Sequence, residues 1–157
     1  MMRFSHAETA SFAELRHDEV SLRLSERREA ETSPWGALAY RFDILVAGER
    51  AGTISLRIGT SYLLTHLAGQ IGFSVEPPFR GRGLARKAVL ALLPAARAHG
   101  LDELWLTTTE DNLASRRTLE KLGCSFVERV PVPENYVSYA QGEREKLRFR
   151  LALDRGP

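Results

Sequence analysis

The run Gly69-Gln70-Ile71-Gly72-Phe73-Ser74-Val75 is rich in β-formers, stops at Pro77-Pro78, and leads through Arg80-Gly81-Arg82-Gly83 into helix-forming sequence that begins Leu84-Ala85. A strand that turns into a helix is expected in an α/β domain, where the helix lies back across the sheet that the strand belongs to. The turn also has chemistry. Two glycines let the backbone approach an anion with no Cβ in the way, and the helix that follows offers unpaired N–H groups and the positive end of its dipole. Arg80, Arg82 and Arg86 add charge beside it. The spacing lacks the third glycine of a dinucleotide fingerprint and the Gly-Lys-Ser/Thr of a P-loop, so neither of those phosphate sites is expected.

A second segment is equally ordered. Leu104-Trp105-Leu106-Thr107-Thr108-Thr109 reads as a strand, and residues 111–123 read as a helix with Asp111 or Asn112 as its N-cap and Gly123 in the left-handed position that ends it. Between the two segments, Leu84, Ala88, Ala91, Leu92 and Ala95 fall on one face of a helix that stops at Gly100, with a kink or loosening expected at Pro94.

Taken together, Arg80-x-x-Gly83-x-Ala85 and the spacing of Asn112, Ser115, Glu120, Lys121 and Gly123 resemble the two signatures of the GNAT N-acetyltransferases. The likeness covers roughly residues 38–154 and comes nearest to the branch of ribosomal-protein N-terminal acetyltransferases. It implies an α/β (α+β) fold: a mostly antiparallel mixed sheet with a splayed parallel pair and helices on both faces. One domain spanning residues 1–157 is expected, with residues 1–36 weakly specified. The resemblance also implies acetyl transfer from acetyl-CoA to a primary amine by direct attack in a ternary complex. The pyrophosphate would rest on Arg80, Gly81, Arg82, Gly83, Leu84 and Ala85, the thioester beside the backbone of Phe73, Ser74 and Val75, and Asn112 and Ser115 would bind the cofactor from across the cleft.

The sequence departs from the family in two places. Too few residues separate the first strand from the hairpin for the helices that usually wall the acceptor pocket, and the position where many members carry a tyrosine acid is Leu119. For the base, Glu76 is the carboxylate nearest the thioester, its alternative role being a solvated or dipole-pairing group; Glu110 and Asp111 end the other arm of the cleft. For the acid, Tyr139 is the candidate, with Tyr136 beside it in a proline-broken insertion over residues 131–145; Cys124 reads as a small buried hydrophobe. Two other functions stay open: a non-catalytic CoA-binding regulatory or degenerate domain, and a nucleic-acid module built on Arg80, Arg82, Arg86, Lys87, Arg116 and Arg117.

A net charge of +2 gives nucleic acid no special favour, and one cysteine, Cys124, rules out an intrachain disulfide. His6, His17, His66 and His99 lack ligand spacing, so no metal is expected. Acidic residues near the start and the lack of a long apolar run suggest no signal peptide, no membrane span and a cytoplasmic location, as a monomer or homodimer. The remaining elements are a short helix over residues 3–16, a strand over 19–24, a hairpin of 38–46 with 52–59 joined by 47–50, a loop with a helical turn over 60–68 that exposes Tyr62 and His66, a strand near 126–128, and a final strand over 146–153.

Overall fold

The computed structural model describes residues 15–153, together with Ser5, Glu8 and Phe12. The helix expected over residues 3–16 lies almost wholly outside these. In chain order the strands are β1 (Arg16–His17), β2 (Val20–Arg28), β3 (Leu38–Val46), β4 (Glu49–Ile58), β5 (Ile71–Val75), β6 (Glu103–Thr108), β7 (Ser125–Pro131) and β8 (Glu145–Ala152). A π-helical turn covers Leu63–Leu67 and a 3-10 turn Pro77–Phe79; the α-helices are α1 (Leu84–Ala98), α2 (Leu113–Lys121) and α3 (Val137–Ala140). The fold is a mixed α/β one in which β1 to β5 form one sheet in sequence order and β6-β8-β7 form a second, all ladders among the described residues being antiparallel.

The β3–β4 hairpin closes through Ala47-Gly48, both at positive φ, as a two-residue turn between right-twisted strands requires. Leu45 pairs with Arg50 and Ile44 with Gly52, so Ala51 is an extra residue on β4, and its carbonyl accepts from Glu76 N–H at 2.8 Å. This bulge presses Gly52 onto β5: a Cβ there would stand 2.0 Å from the Ser74 carbonyl oxygen. Replacing Gly52 with Ala is therefore expected to destabilise the protein by roughly 2–3 kcal/mol as β5 is forced aside. A chemical-denaturation midpoint equal to that of the wild type would mean the bulge relaxes freely.

β2 runs on to Arg28 through the charged stretch where a strand was expected only to Leu24. A bulge at Ser25, whose hydroxyl donates to the Arg41 carbonyl at 3.0 Å, keeps the ladder going, and the Arg27 guanidinium grips the buried Glu8 carboxylate at 2.8 and 3.1 Å. Tyr40 at the core edge shares a 3.0 Å hydrogen bond with His99 at the end of α1.

α1 lays Leu84, Ala88, Val89, Leu92, Ala95 and Ala96 on β1, β2, β4 and β5, and reaches α2. Pro94 lies on its exposed face, and the helix continues to Ala98 rather than loosening early. Leu104, Leu106 and Phe149 from the second sheet share one core with Tyr40, Phe42, Ile54 and Leu56 from the first. The π-helical turn packs on the opposite face of the second sheet, where Thr107 Oγ1 donates to the Leu67 carbonyl at 2.8 Å.

No helix is interposed between β2 and β3; residues 29–37 form turns, as the short spacing implies. No helix among the described residues is long and apolar enough to cross a membrane.

Candidate functional site

β5 and β6, joined by the crossover helix α1, meet only at their starts and share no ladder. The point where they part is held by Gln70, which is 1% exposed. Its N–H donates to the Trp105 carbonyl at 2.8 Å, its side-chain carbonyl accepts from Trp105 N–H at 2.8 Å, and its amide NH2 donates to the Gly59 carbonyl at 2.8 Å. Past this wedge a cleft opens. The ladder with β4 fixes which β5 groups face it, since Gln70 C=O and Glu76 N–H turn to β4, where their partners are Arg57 N–H and Ala51 C=O. By the alternation of an antiparallel pair, Gly72 and Ser74 spend their backbone groups on β4, whereas Phe73 and Val75 direct theirs into the cleft. Of the three residues expected beside a thioester, Phe73 and Val75 offer N–H groups, and Ser74 offers only its exposed hydroxyl on the face away from α1.

At the end of β5, the Arg80 side chain donates to the Val75 carbonyl at 3.0 Å and so folds the turn back onto the strand. Gly81 and Gly83 take φ of 81° and 70°, and no side chain caps α1. The first N–H of α1 to bond back is that of Lys87, to Gly83 C=O, which leaves those of Leu84, Ala85 and Arg86 directed at the mouth of the cleft. Space around Gly81 and Gly83 is open, and the turn is exposed. These groups fit a diphosphate: donors in an arc, a helix dipole and arginine cations at the rim.

Across the cleft, Asn112 caps α2 by accepting from Ser115 N–H at 3.2 Å, settling the choice between Asp111 and Asn112; Asp111 instead accepts from the Thr109 hydroxyl at 2.8 Å. Gly123 ends the helix at φ 82°. The basic residues suggested as a nucleic-acid surface are mostly engaged within the fold. Lys87 pairs with Glu19 at 2.6 Å, Arg116 with Glu110 at 3.5 Å, and Arg82 rests 5.7 Å from the Phe79 ring centre.

Among the acid–base candidates, Glu76 follows Gly72 and Ser74 on the same face and pairs with Arg50, which also bonds Asp43 at 3.1 Å. Tyr139 lies in α3 with the Arg144 guanidinium 3.7 Å from its ring centre, and Arg144 donates to its carbonyl at 2.8 Å. Gln141 to Glu145 then line a depression with Thr109, Glu110 and Asp111, so the insertion reaches the far arm of the cleft. Leu119 is wholly buried, which leaves the usual tyrosine position without a proton to give. Burial pushes the Cys124 thiol up to about 11, so it stays a protonated thiol near neutral pH and is a poor nucleophile there. No three His, Cys, Asp or Glu side chains among the described residues converge as a metal site needs.

One feature of this region carried no sequence signal. On the face of β3, β4 and β5 away from α1 runs an open groove of about 570 Å³, lined among others by Trp35, Arg41, Ser55, Arg57, Gly72 and Ser74. Arg57 alternates with the core residues Ile54 and Leu56 and so reads as a solvent-facing position, yet it is 9% exposed, covered by Trp35, whose ring centre is 3.9 Å from its guanidinium.

The chain belongs to the acetyltransferase (GNAT) family, which it matches over residues 3–124. It is 28% identical over 72 residues to the [ribosomal protein bS18]-alanine N-acetyltransferase of Haemophilus ducreyi, covering 46% of this chain and 48% of that one. It is 33% identical over 115 residues to the mycothiol acetyltransferase of Thermobispora bispora, covering 68% of this chain and 37% of that one. The matched stretches thus span half or less of both relatives. Among solved structures, RimL, a ribosomal L7/L12 alpha-N-protein acetyltransferase in complex with coenzyme A, shares the fold with a TM-score of 0.59 at 18% identity, over 75% of this chain and 64% of that one.

Proposed function

We propose that the protein is an acetyl-CoA-dependent N-acetyltransferase acting on a primary amine. The observation that carries this is the pairing of two unpartnered donor sets at either end of one cleft: the α1 N-terminus with the Gly81–Gly83 turn, and the Phe73 and Val75 N–H groups on the free edge of β5. Family membership and the acetyltransferase names of the relatives support it.

Bound acetyl-CoA supplies an activated acetyl thioester. The turn and α1 hold its diphosphate, with Arg80, Arg82 and Arg86 at the rim, and the β5 edge aligns the acyl end. The Phe73 or Val75 N–H stabilises the negative charge that grows on the carbonyl oxygen as the amine nitrogen attacks, which is the main electrostatic contribution. Asn112 and Ser115 border the opposite wall, where the Asn112 amide NH2 remains free to donate. Glu76 takes the proton released by the nitrogen, through water, since it stands further along the strand than the attacking atom. The departing sulfur keeps the electrons of the broken C–S bond and receives a proton from Tyr139. The products are an acetamide and free CoA thiol, formed with positioning and proton transfer alone. A cytoplasmic location, where acetyl-CoA is available, is consistent with this reading.

Tyr139→Phe is expected to lower kcat roughly 100-fold with the KM for acetyl-CoA unchanged. Undiminished kcat would transfer the proton to water. Thiol release across a panel of primary amines tests the activity itself. A protein that binds acetyl-CoA yet releases no thiol with any amine would instead be the non-catalytic CoA-binding domain.

A further inference from the structure

The Arg57 guanidinium is almost wholly buried, yet no carboxylate among the described residues pairs with it. One nitrogen, Nη1, donates to the Ala68 and Gly69 carbonyls at 3.2 and 3.0 Å, which fixes the head group at the start of β5. Among the described residues, Nε is buried without a hydrogen-bond partner and Nη2 makes no hydrogen bond. A buried cation without a counter-ion costs several kcal/mol relative to a paired one. Burial pushes the guanidinium down to about 10, with Tyr136 of the insertion partly offsetting it, so it is still charged near neutral pH.

Two neighbours keep that side of the guanidinium clear. Gly72 lies beneath Nη2, where a Cβ would stand 2.7 Å away, so any other residue at position 72 would push the head group aside. Trp35 covers one face and leaves the edge to the groove. The groove is cationic as a whole. Arg28 is paired with Glu26, but Arg41 has no ion pair among the described residues, and Glu26 is the only carboxylate among the lining residues.

Resting on the acetyl-transfer reading, we infer that this groove is the acceptor subsite and that it selects a small amine carrying a carboxylate, which the Arg57 guanidinium binds above Gly72. Gly72 adjoins Phe73, whose N–H faces the cleft. A ligand whose carboxylate meets Arg57 therefore has its amine beside the edge where the acyl carbon is held, provided the two groups are a few bonds apart. Amino acids have that spacing. The bound carboxylate supplies the counter-charge, and the Trp35 ring and Arg41 shape the outer wall. A planar guanidinium with an unengaged edge suits a carboxylate, which accepts two parallel N–H bonds.

The test compares L-alanine, β-alanine and L-phenylalanine with their amides as acceptors. Amides have less basic amines and so present more of the neutral nucleophile, which makes a preference for the acids a matter of recognition. The wild type is expected to show at least a ten-fold higher kcat/KM for one or more of the acids, carried by KM, and Arg57→Gln is expected to close the gap. Without acetyl-CoA, the preferred acid should raise the melting temperature of the wild type and its amide should not. Arg41→Ala, at an exposed position, should weaken acid binding several-fold without loss of fold, and keeps the test sound if Arg57→Gln fails to fold. Equal use of acids and amides by a wild-type protein that binds acetyl-CoA would overturn the inference and leave acetyl transfer standing. Failure to bind acetyl-CoA would instead count against acetyl transfer, and the melting comparison would still read the Arg57 site.

Discussion

Gly83→Glu is expected to abolish measurable acetyl-CoA binding, lowering affinity at least ~100-fold, or about 2.7 kcal/mol, while the protein stays folded. Gly83 precedes α1 at φ 70°, so any L-residue there incurs strain of about 1 kcal/mol, and a melting temperature roughly 2–4 °C lower is expected. Beyond its two chain neighbours, no atom of the described residues lies within 4 Å of an added Cβ, so the fold has no steric reason to fail. The carboxylate would project where the N–H groups of Leu84, Ala85 and Arg86 point, placing like charge against the diphosphate. Gly83→Ala separates the effects, because it carries the strain without the charge and should bind within several-fold of the wild type. Wild-type affinity in Gly83→Glu would mean that the diphosphate is held elsewhere.

Gln70→Ala is the second change with a large expected effect, on the order of 4 kcal/mol of stability. It leaves Trp105 N–H and Gly59 C=O without the partners that the buried Gln70 supplies, at about 1–3 kcal/mol each, and it opens a cavity as well. The functional consequence is larger than the stability loss suggests, since Gln70 fixes where β5 and β6 begin to part. Acetyl-CoA affinity should fall together with stability. Gln70→Met, which keeps the volume but not the hydrogen bonds, should recover only the cavity part. A Gln70→Ala protein with wild-type melting and acetyl-CoA affinity would show that the apex is held by other contacts.

Much of this arrangement is legible from residues alone, for local reasons. The strand ending at Pro77-Pro78, the Gly81–Gly83 turn, the α1 stripe, and the Asn112 and Gly123 ends of α2 are each set by neighbours a few positions away, and each is found where the sequence puts it. Features that depend on distant partners were not legible. β2 runs four residues past Leu24 because Arg27 meets Glu8, and β4 starts at Glu49 rather than Gly52 because the turn needs only Ala47 and Gly48. Gln70 looks like one polar residue heading an apolar strand until Trp105 and Gly59 are seen around it. Alternation assigns Arg57 to solvent, whereas in the structure Trp35, Gly72 and the carbonyls of residues 68 and 69 close around it. The backbone division of labour on β5, with Phe73 and Val75 open and Ser74 spent on β4, follows from a register that no single strand encodes.

The central claim is that the cleft between β5 and β6 holds acetyl-CoA, and calorimetric titration of the purified protein with acetyl-CoA at moderate salt tests it most directly. One-to-one binding with a micromolar dissociation constant, lost in Gly83→Glu, is the result expected. No heat of binding in a protein that melts cooperatively would mean that the arginine-glycine turn only joins a strand to a helix, and would contradict the account.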